Sequence, residues 1–431
     1  MRTSIIGPGA SITKVRAEVQ KGYQHAHQLY FDRLFPGASS ELKEKALGPY
    51  EHLFHTELFL KPSLAFLHRE KLFLITDEAR FNSLNPEQQS GFEPVMVLES
   101  RSRRARFWVS PEGQIVEFKG LTPHKFNPLN LNHNSGQPNG LLELDPAYCE
   151  KTGLDIIGQI DSGVHELGEY FPDLNPYAQL FRKAGPQTKY LPWLRMDLSP
   201  TLMQILAQLE NLPFETFLYQ SCARFGAQLR RFHDAGKTLH SPFQAPNDRP
   251  EPFYSSLHSG NVEIHGNIID LEGMFDFGEA RDIFRDQLSR LDRSRMDPRG
   301  FIDAEILAQA ETGEDFGFFC RLSDLHRFIR GNTYQLTRES SLAGNLFTAD
   351  AQTPYYFIVA LTGVLRGYYH RPAKEKNKME EIDAYVKEKV IPVFQELHSQ
   401  ARQEEMLHRF LFPIRHTYRM LSFIEKEILA A

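Results

Sequence analysis

The stretch that most constrains this chain is LHSGNVEIHGNIIDLEG, residues 257–273. It reads as a loop, a strand at 262–264, a two-residue turn at His265-Gly266, a second strand at 267–269, and an acidic residue where that strand ends. A hairpin brings its two ends together. Asn261 enters it and Asp270 leaves it, so an amide oxygen and a carboxylate become neighbours. These are hard oxygen donors of the kind magnesium takes alongside substrate phosphates.

The rest of the chain divides by hydrophobic period. Residues 11–34 and 40–60 read as helices broken at Pro36-Gly37. Strand-like runs follow at 71–76, 94–98, 105–109 and 114–118, and Ser110-Pro111-Glu112-Gly113 is a turn between the last two. Residues 126–139 form an Asn- and Pro-rich loop, 140–151 a short helix stopped by Gly153, and a second loop-rich region then leads to 190–198, which reads as a strand joining two lobes. Residues 214–233 give the clearest helix. Leu218, Cys222, Phe225, Leu229 and Phe232 recur at helical steps and share one face. Beyond Asp270 the pattern is almost all helical, with breaks at Pro392 and Pro413.

A chain of 431 residues exceeds one small core. The expectation is an α+β, protein-kinase-like two-lobed fold: an N-terminal helical extension (1–60), a sheet-containing lobe (61–195), and a large helical lobe (196–431) carrying the metal-binding hairpin (257–273).

Composition narrows the class. Cys149, Cys222 and Cys320 lie far apart without a CxxC pair, which argues against a disulfide framework or a zinc cluster and suits a reducing cytoplasm. A formal charge of -6 gives no reason to expect nucleic acid as a partner. No run reaches the ~18 apolar residues of a membrane helix, and the first residues lack a signal-peptide layout. A cytoplasmic protein with no membrane span is expected; a secreted bacterial effector exported by a dedicated apparatus would read the same.

A nucleotide-transfer site needs a cation for the phosphates, an acidic partner to aim it, and metal ligands. Lys119 ends a strand, Glu143 lies on the following helix, and Asn261 and Asp270 flank the hairpin. That is the chain order of kinase-like proteins. Asp276-Phe277-Gly278 is a literal DFG, but no strand leads into it, so Asp270 is preferred as metal ligand and Asp276 is read as a surface or supporting carboxylate. Residues 254–258 contain no carboxylate to accept a hydroxyl proton, and His258 is the candidate base there. No GxGxxG precedes Lys119. Phosphates would then fall to side chains, with Arg101, Arg103, Arg104, Arg106, Lys125, Arg182, Lys183 and Arg195 as candidates.

The segment VSPEGQIVEFKG (109–120) followed by Thr122-Pro123 resembles the hairpin, Lys-Gly and Thr-Pro segment of the selenoprotein O family. NVEIHGNIID (261–270) is similar to that family's metal-binding hairpin, with the same Asn-to-Asp separation. The resemblance implies a kinase-like fold that binds ATP flipped, so that AMP is transferred to protein hydroxyls. It also implies that Lys119 contacts phosphate, that Glu143 pairs with it, and that Asn261 and Asp270 hold Mg2+. Gly260 stands where the family has its proposed acidic base. LHSGN (257–261) also resembles the Leu-His-Pro-Gly-Asn of aminoglycoside-type phosphotransferases. Three functions follow as expectations: an adenylyltransferase acting on a protein, a phosphotransferase on a protein or small molecule, or an inactive pseudokinase that binds a protein partner.

Overall fold

The computed structural model describes residues 8–53, 61–100, 105–121, 141–158, 160–185, 189–196, 200–240, 255–257, 259–290, 304–313, 315–342, 353–370, 376–403 and 414–430. The architecture is mixed α and β. The chain divides into two compact units, the first Met1–Trp193 with Ile205–Leu212, the second Leu194–Gln204 with Pro213–Ala431.

The first unit begins with α1 (Ile12–Gln20), α2 (Tyr23–Leu34) and α3 (Ser40–Leu53). There follow β1 (Lys61–His68), β2 (Phe73–Ile75), the short helices α4 (Glu78–Ser83) and α5 (Pro86–Gln89), β3 (Phe92–Glu99), β4 (Ala105–Val109) and β5 (Ile115–Lys119). Next come β6 (Leu142–Glu143), α6 (Leu144–Ile157), β7 (Ile160–Glu166) and β8 (Tyr177–Ala184). Among the described residues these strands form one eight-stranded sheet, β2-β1-β3-β4-β5-β8-β6, with β7 also on β8 and every pair antiparallel.

The four expected strands are all present, and the β4–β5 turn closes as its sequence requires. Gly113 takes a φ of 86° and donates its N–H to Ser110 O at 2.9 Å. Alternation along β5 separates two faces. Val116 and Phe118 join Ala65, Leu67, Leu74, Val95, Val97 and Trp108 in an apolar cluster, while Glu117 and Lys119 point to the opposite side.

Three expectations are corrected here. The N-terminal helices are not an extension: Tyr30 of α2 donates its hydroxyl to Met96 O of β3 at 2.8 Å, and Arg33 Nη1 donates to Val109 O of β4 at 2.7 Å. Gly153 does not stop α6. It is buried inside the helix, which ends instead at Gly158 with φ 68°. The stretch read as loop after residue 153 contains β7 and β8. Buried polar residues had hidden β8, because Gln179 fills an interior position by exchanging two 2.8 Å hydrogen bonds with the backbone of Leu74. Residues 126–139 lie outside the described residues.

α7 (Pro200–Leu209) is divided between the units. The second unit is built on α8 (Phe214–Asp234), which matches the predicted helix almost to the residue. All five residues of its expected apolar face are buried, and each of the four Leu and Phe side chains contributes about 1.5–3 kcal/mol of transfer free energy. β9 (Lys237–Thr238) pairs with β10 (Phe275–Asp276) as a two-stranded ribbon. Then come α9 (Phe277–Arg290), α10 (Ala304–Thr312), α11 (Phe316–Leu342) and α12 (Thr353–Tyr369). α13 (Lys376–Tyr385), α14 (Ile391–Gln403) and α15 (Ile414–Phe423) complete it.

α12 lies directly on α8. A Cβ on Gly367 would fall 1.9 Å from Ala223 O, one on Gly226 2.2 Å from Val364 O, and one on Gly363 2.7 Å from Tyr219 O. Small residues let the two backbones touch, which no side chain would permit. The break expected at Pro392 is corrected: the helical path runs on from α13 through a π turn at Val386–Val390 into α14, whose first turn holds the proline. Pro413 is outside the described residues. Among the described residues no helix is long and apolar enough to cross a membrane. Residues 190–196 form no strand; Arg195 makes only a single bridge, to Glu263.

Candidate functional site

In the first unit the chemistry gathers on the polar face of β5. Lys119 Nζ donates to Glu150 Oε2 at 2.9 Å, and the ammonium keeps 15% side-chain exposure while the carboxylate has none. Glu150 comes from the buried face of α6, which it shares with Ala147, Leu154 and Ile157. Its other oxygen accepts from Arg182 Nη1 at 2.6 Å. Arg182 sits opposite Glu117 in the β5–β8 register and donates to it from Nε at 2.5 Å and Nη2 at 2.8 Å. Tyr190 adds its hydroxyl to Glu117 at 3.1 Å.

Two cations thus face two carboxylates in a buried array. Burial opposes the charge on Arg182, but Glu117, Tyr190 and Glu150 outweigh it and hold its pKa above the ordinary guanidinium value. Arg182 is therefore a fixed structural cation.

Glu143, expected as the partner of Lys119, is corrected to Glu150. Glu143 ends β6 opposite Tyr177 and occupies the extended N-cap position of α6, exposed to solvent. The readable sign of Glu150 was a carboxylate inside an apolar helical stripe, and cutting the helix at Gly153 removed half of that stripe.

In the second unit the hairpin is present in a different register. Val262 bridges Ile268, Glu263 N donates to Asn267 O at 2.9 Å, and Ile269 N donates to Asn261 O at 2.9 Å. Asn261 therefore faces Ile269, with Asp270 one residue beyond. The expected two-residue turn would have set Asn261 against Asp270. The loop is longer because Glu263 O accepts from Gly266 N at 2.8 Å, with Gly266 at φ 90°. A Cβ on Gly266 would fall 1.9 Å from Ser221 O of α8, so glycine is required both for the turn and for its seat.

Asn261 Nδ2 donates to Ser256 O at 2.9 Å, which fixes the amide and leaves Oδ1 as its acceptor. Asp270 is half-buried. Arg195, one of the phosphate candidates, instead donates Nη1 to Gly260 O at 2.7 Å. Asp276 lies at the surface in a 2.8 Å ion pair with Lys237, 61% exposed, as a surface carboxylate would. It ends the two-residue β10, a strand the sequence did not reveal.

Behind the hairpin lies a buried carboxylate that sequence reasoning missed. Asp324 of α11 accepts from Thr238 Oγ1 at 2.8 Å, Leu239 N at 3.1 Å, His233 Nε2 at 3.0 Å and the hydroxyl of Ser255. His233 Nδ1 meets the Tyr368 hydroxyl at 2.7 Å. Asp324 thereby ties together the segments around Leu239 and Ser255, and the next residue, Ser256, holds Asn261. Its signal was also legible, since Phe316, Cys320, Asp324 and Phe328 form one buried stripe at steps of four.

The remaining candidates divide. Arg106 is buried and paired with Glu99 at 3.0 Å, and Lys183 pairs with Asp161 at 2.9 Å. Arg101, Arg103, Arg104, Lys125 and His258 lie outside the described residues. Comparison with protein-family models, with curated proteins and with solved structures returned no match for this chain.

Proposed function

We propose that the chain is a kinase-like, ATP-binding transferase that moves AMP from Mg-ATP to a protein hydroxyl, the activity of the selenoprotein O family its segments resemble. The observation that carries this reading is the Lys119–Glu150 ion pair, a strand-end ammonium aimed by a wholly buried helix carboxylate. A held ammonium meets a phosphate without the entropy cost of ordering a free lysine.

The hairpin supplies the second set of groups. Asn261 Oδ1, with its amide fixed on Ser256, and the half-buried Asp270 carboxylate are oxygen donors that fit magnesium. Magnesium supplies charge neutralisation on the phosphates when bound. Lys119 adds positive charge beside a phosphate oxygen, Glu150 keeps that charge in place, and Arg182 holds the other oxygen of Glu150.

A binding-only reading is favoured by one feature. Gly260 replaces the acidic base of the resembled family, and its carbonyl is engaged by Arg195. Incubating the protein with α-labelled and then γ-labelled ATP, with Asp270→Ala as control, separates the readings. Label reaching protein from the α position supports AMP transfer. Label transferred only from the γ position makes the chain a phosphotransferase. Nucleotide binding with neither label transferred makes it a pseudokinase that acts through a protein partner.

A further inference from the structure

We propose that Glu263 is the register pin of the hairpin and thereby a positioning residue for Asn261 and Asp270, an inference that rests on the metal-binding reading above. Glu263 is fully buried, and a buried carboxylate is costly unless its oxygens are used. Here they do what a carbonyl does in an ordinary ladder. The Glu263 carbonyl accepts from Gly266 N at 2.8 Å across the turn. Asn267 N donates to Glu263 Oε1 at 3.0 Å, and Asn267 Nδ2 donates to the same oxygen at 2.5 Å. The second carboxylate oxygen meets His265 Nδ1 at 3.1 Å.

Glu263 thus holds Asn267 by backbone and side chain at once, the backbone part being its own N–H to Asn267 O at 2.9 Å. α8 fastens the outer edge of the same pairing. Gln228 Nε2 donates to Asn267 Oδ1 at 2.8 Å, and Gln228 Oε1 accepts from Ile268 N at 2.8 Å. The alternative register has the two-residue turn, pairs Ile264 with Asn267, and leaves the Glu263 carboxylate without these donors. A shift of one residue turns strand side chains to the opposite face. The pairing that Glu263 selects therefore decides which way Asn261 and Asp270 face.

The test titrates Mn2+ alone onto the full chain, followed by the solution EPR signal of the free ion, with thermal unfolding measured in parallel. Glu263→Ala is expected to weaken Mn2+ binding by about tenfold or more, whereas Glu263→Gln, which still accepts from Asn267, stays within about threefold of the parent. Glu263→Asp keeps the charge but shortens the reach, and it carries the test if the alanine variant does not fold; it too is expected to weaken Mn2+ binding. A folded Glu263→Ala or Glu263→Asp protein with parental Mn2+ affinity overturns the inference. Asp270→Ala separates the two levels. If it abolishes Mn2+ binding while Glu263 variants leave it intact, only the register role fails. If it leaves Mn2+ binding unchanged, the metal reading fails and the register inference falls with it.

Discussion

Lys119 and Glu150 join a cation that keeps 15% side-chain exposure to a wholly buried carboxylate, at 2.9 Å. The carboxylate is shared with Arg182, so the pair is part of a balanced array of two positive and two negative side chains. Such an array is stiff, because removing one member strands a charge away from water.

Replacement of Glu150 is accordingly predicted to act on both stability and nucleotide binding. Glu150→Ala should cost about 3–5 kcal/mol in chemical denaturation. Glu150→Gln should weaken ATP binding by about tenfold or more, measured by isothermal titration. Glu143→Gln should change neither, and equal effects from the two positions would reverse the assignment.

Asp270 and Asp276 are predicted to separate cleanly. Asp276 loses only an exposed ion pair with Lys237 on replacement by alanine, worth about 0–1 kcal/mol, and Mg-ATP affinity should be unchanged. Asp270→Ala should remove Mg2+-dependent ATP binding. A titration in which Asp276→Ala alone abolishes binding would transfer the role to the DFG aspartate.

The contact between α8 and α12 gives a prediction about stability alone. Gly367→Ala places a methyl 1.9 Å from a backbone oxygen, and neither helix can move without opening the core. A loss of about 3 kcal/mol or more is expected in urea denaturation. Gly236→Ala is the comparison for space, since a Cβ there meets nothing within 4 Å, although its φ of 71° still disfavours a side chain. Its cost should be smaller, about 1 kcal/mol.

His240 predicts an acid limb in the stability profile. It is fully buried, with Nδ1 on Ser323 Oγ at 2.8 Å and its ring against Phe284 and Phe316. Burial lowers its pKa to about 4 against a partial opposing effect from Asp324. The unfolded chain then binds a proton near pH 6.5 that the folded chain refuses until about pH 4. Stability from this group is complete above pH 6.5 and falls as the pH drops, by about 2 kcal/mol at pH 5. His240→Asn should flatten the difference in unfolding free energy between pH 7 and pH 5, and an unchanged slope would contradict it.

Two missed carboxylates share one cause. Glu150 and Asp324 each sit within an apolar helical stripe, where period-based reading treats a charged residue as an interruption. Once folded, each proves to be a point where several donors converge. β8 escaped for a related reason. Gln179 and Arg182 occupy interior strand positions, so the expected alternation of apolar and polar residues is absent where the sheet is most buried. The face of α8, the β4–β5 turn and the existence of a hairpin ending near Asp270 were all legible, because each depends on neighbours within a few residues.

The sequence by itself determined the local structure and the donor types: helical and extended periods, the turn glycines, and an amide and a carboxylate flanking a hairpin. Only the tertiary structure decided the pairings. Lys119 finds Glu150 across 31 residues rather than Glu143 across 24, because α6 turns Glu150 toward the polar face of β5 and leaves Glu143 at its solvent-exposed start. The hairpin register likewise followed from a buried side chain, Glu263, and from the seat of Gly266 on α8. Local periodicity depends on backbone geometry that neighbouring residues share. Which charges meet depends on which faces are removed from water together, and that is settled only when the elements pack.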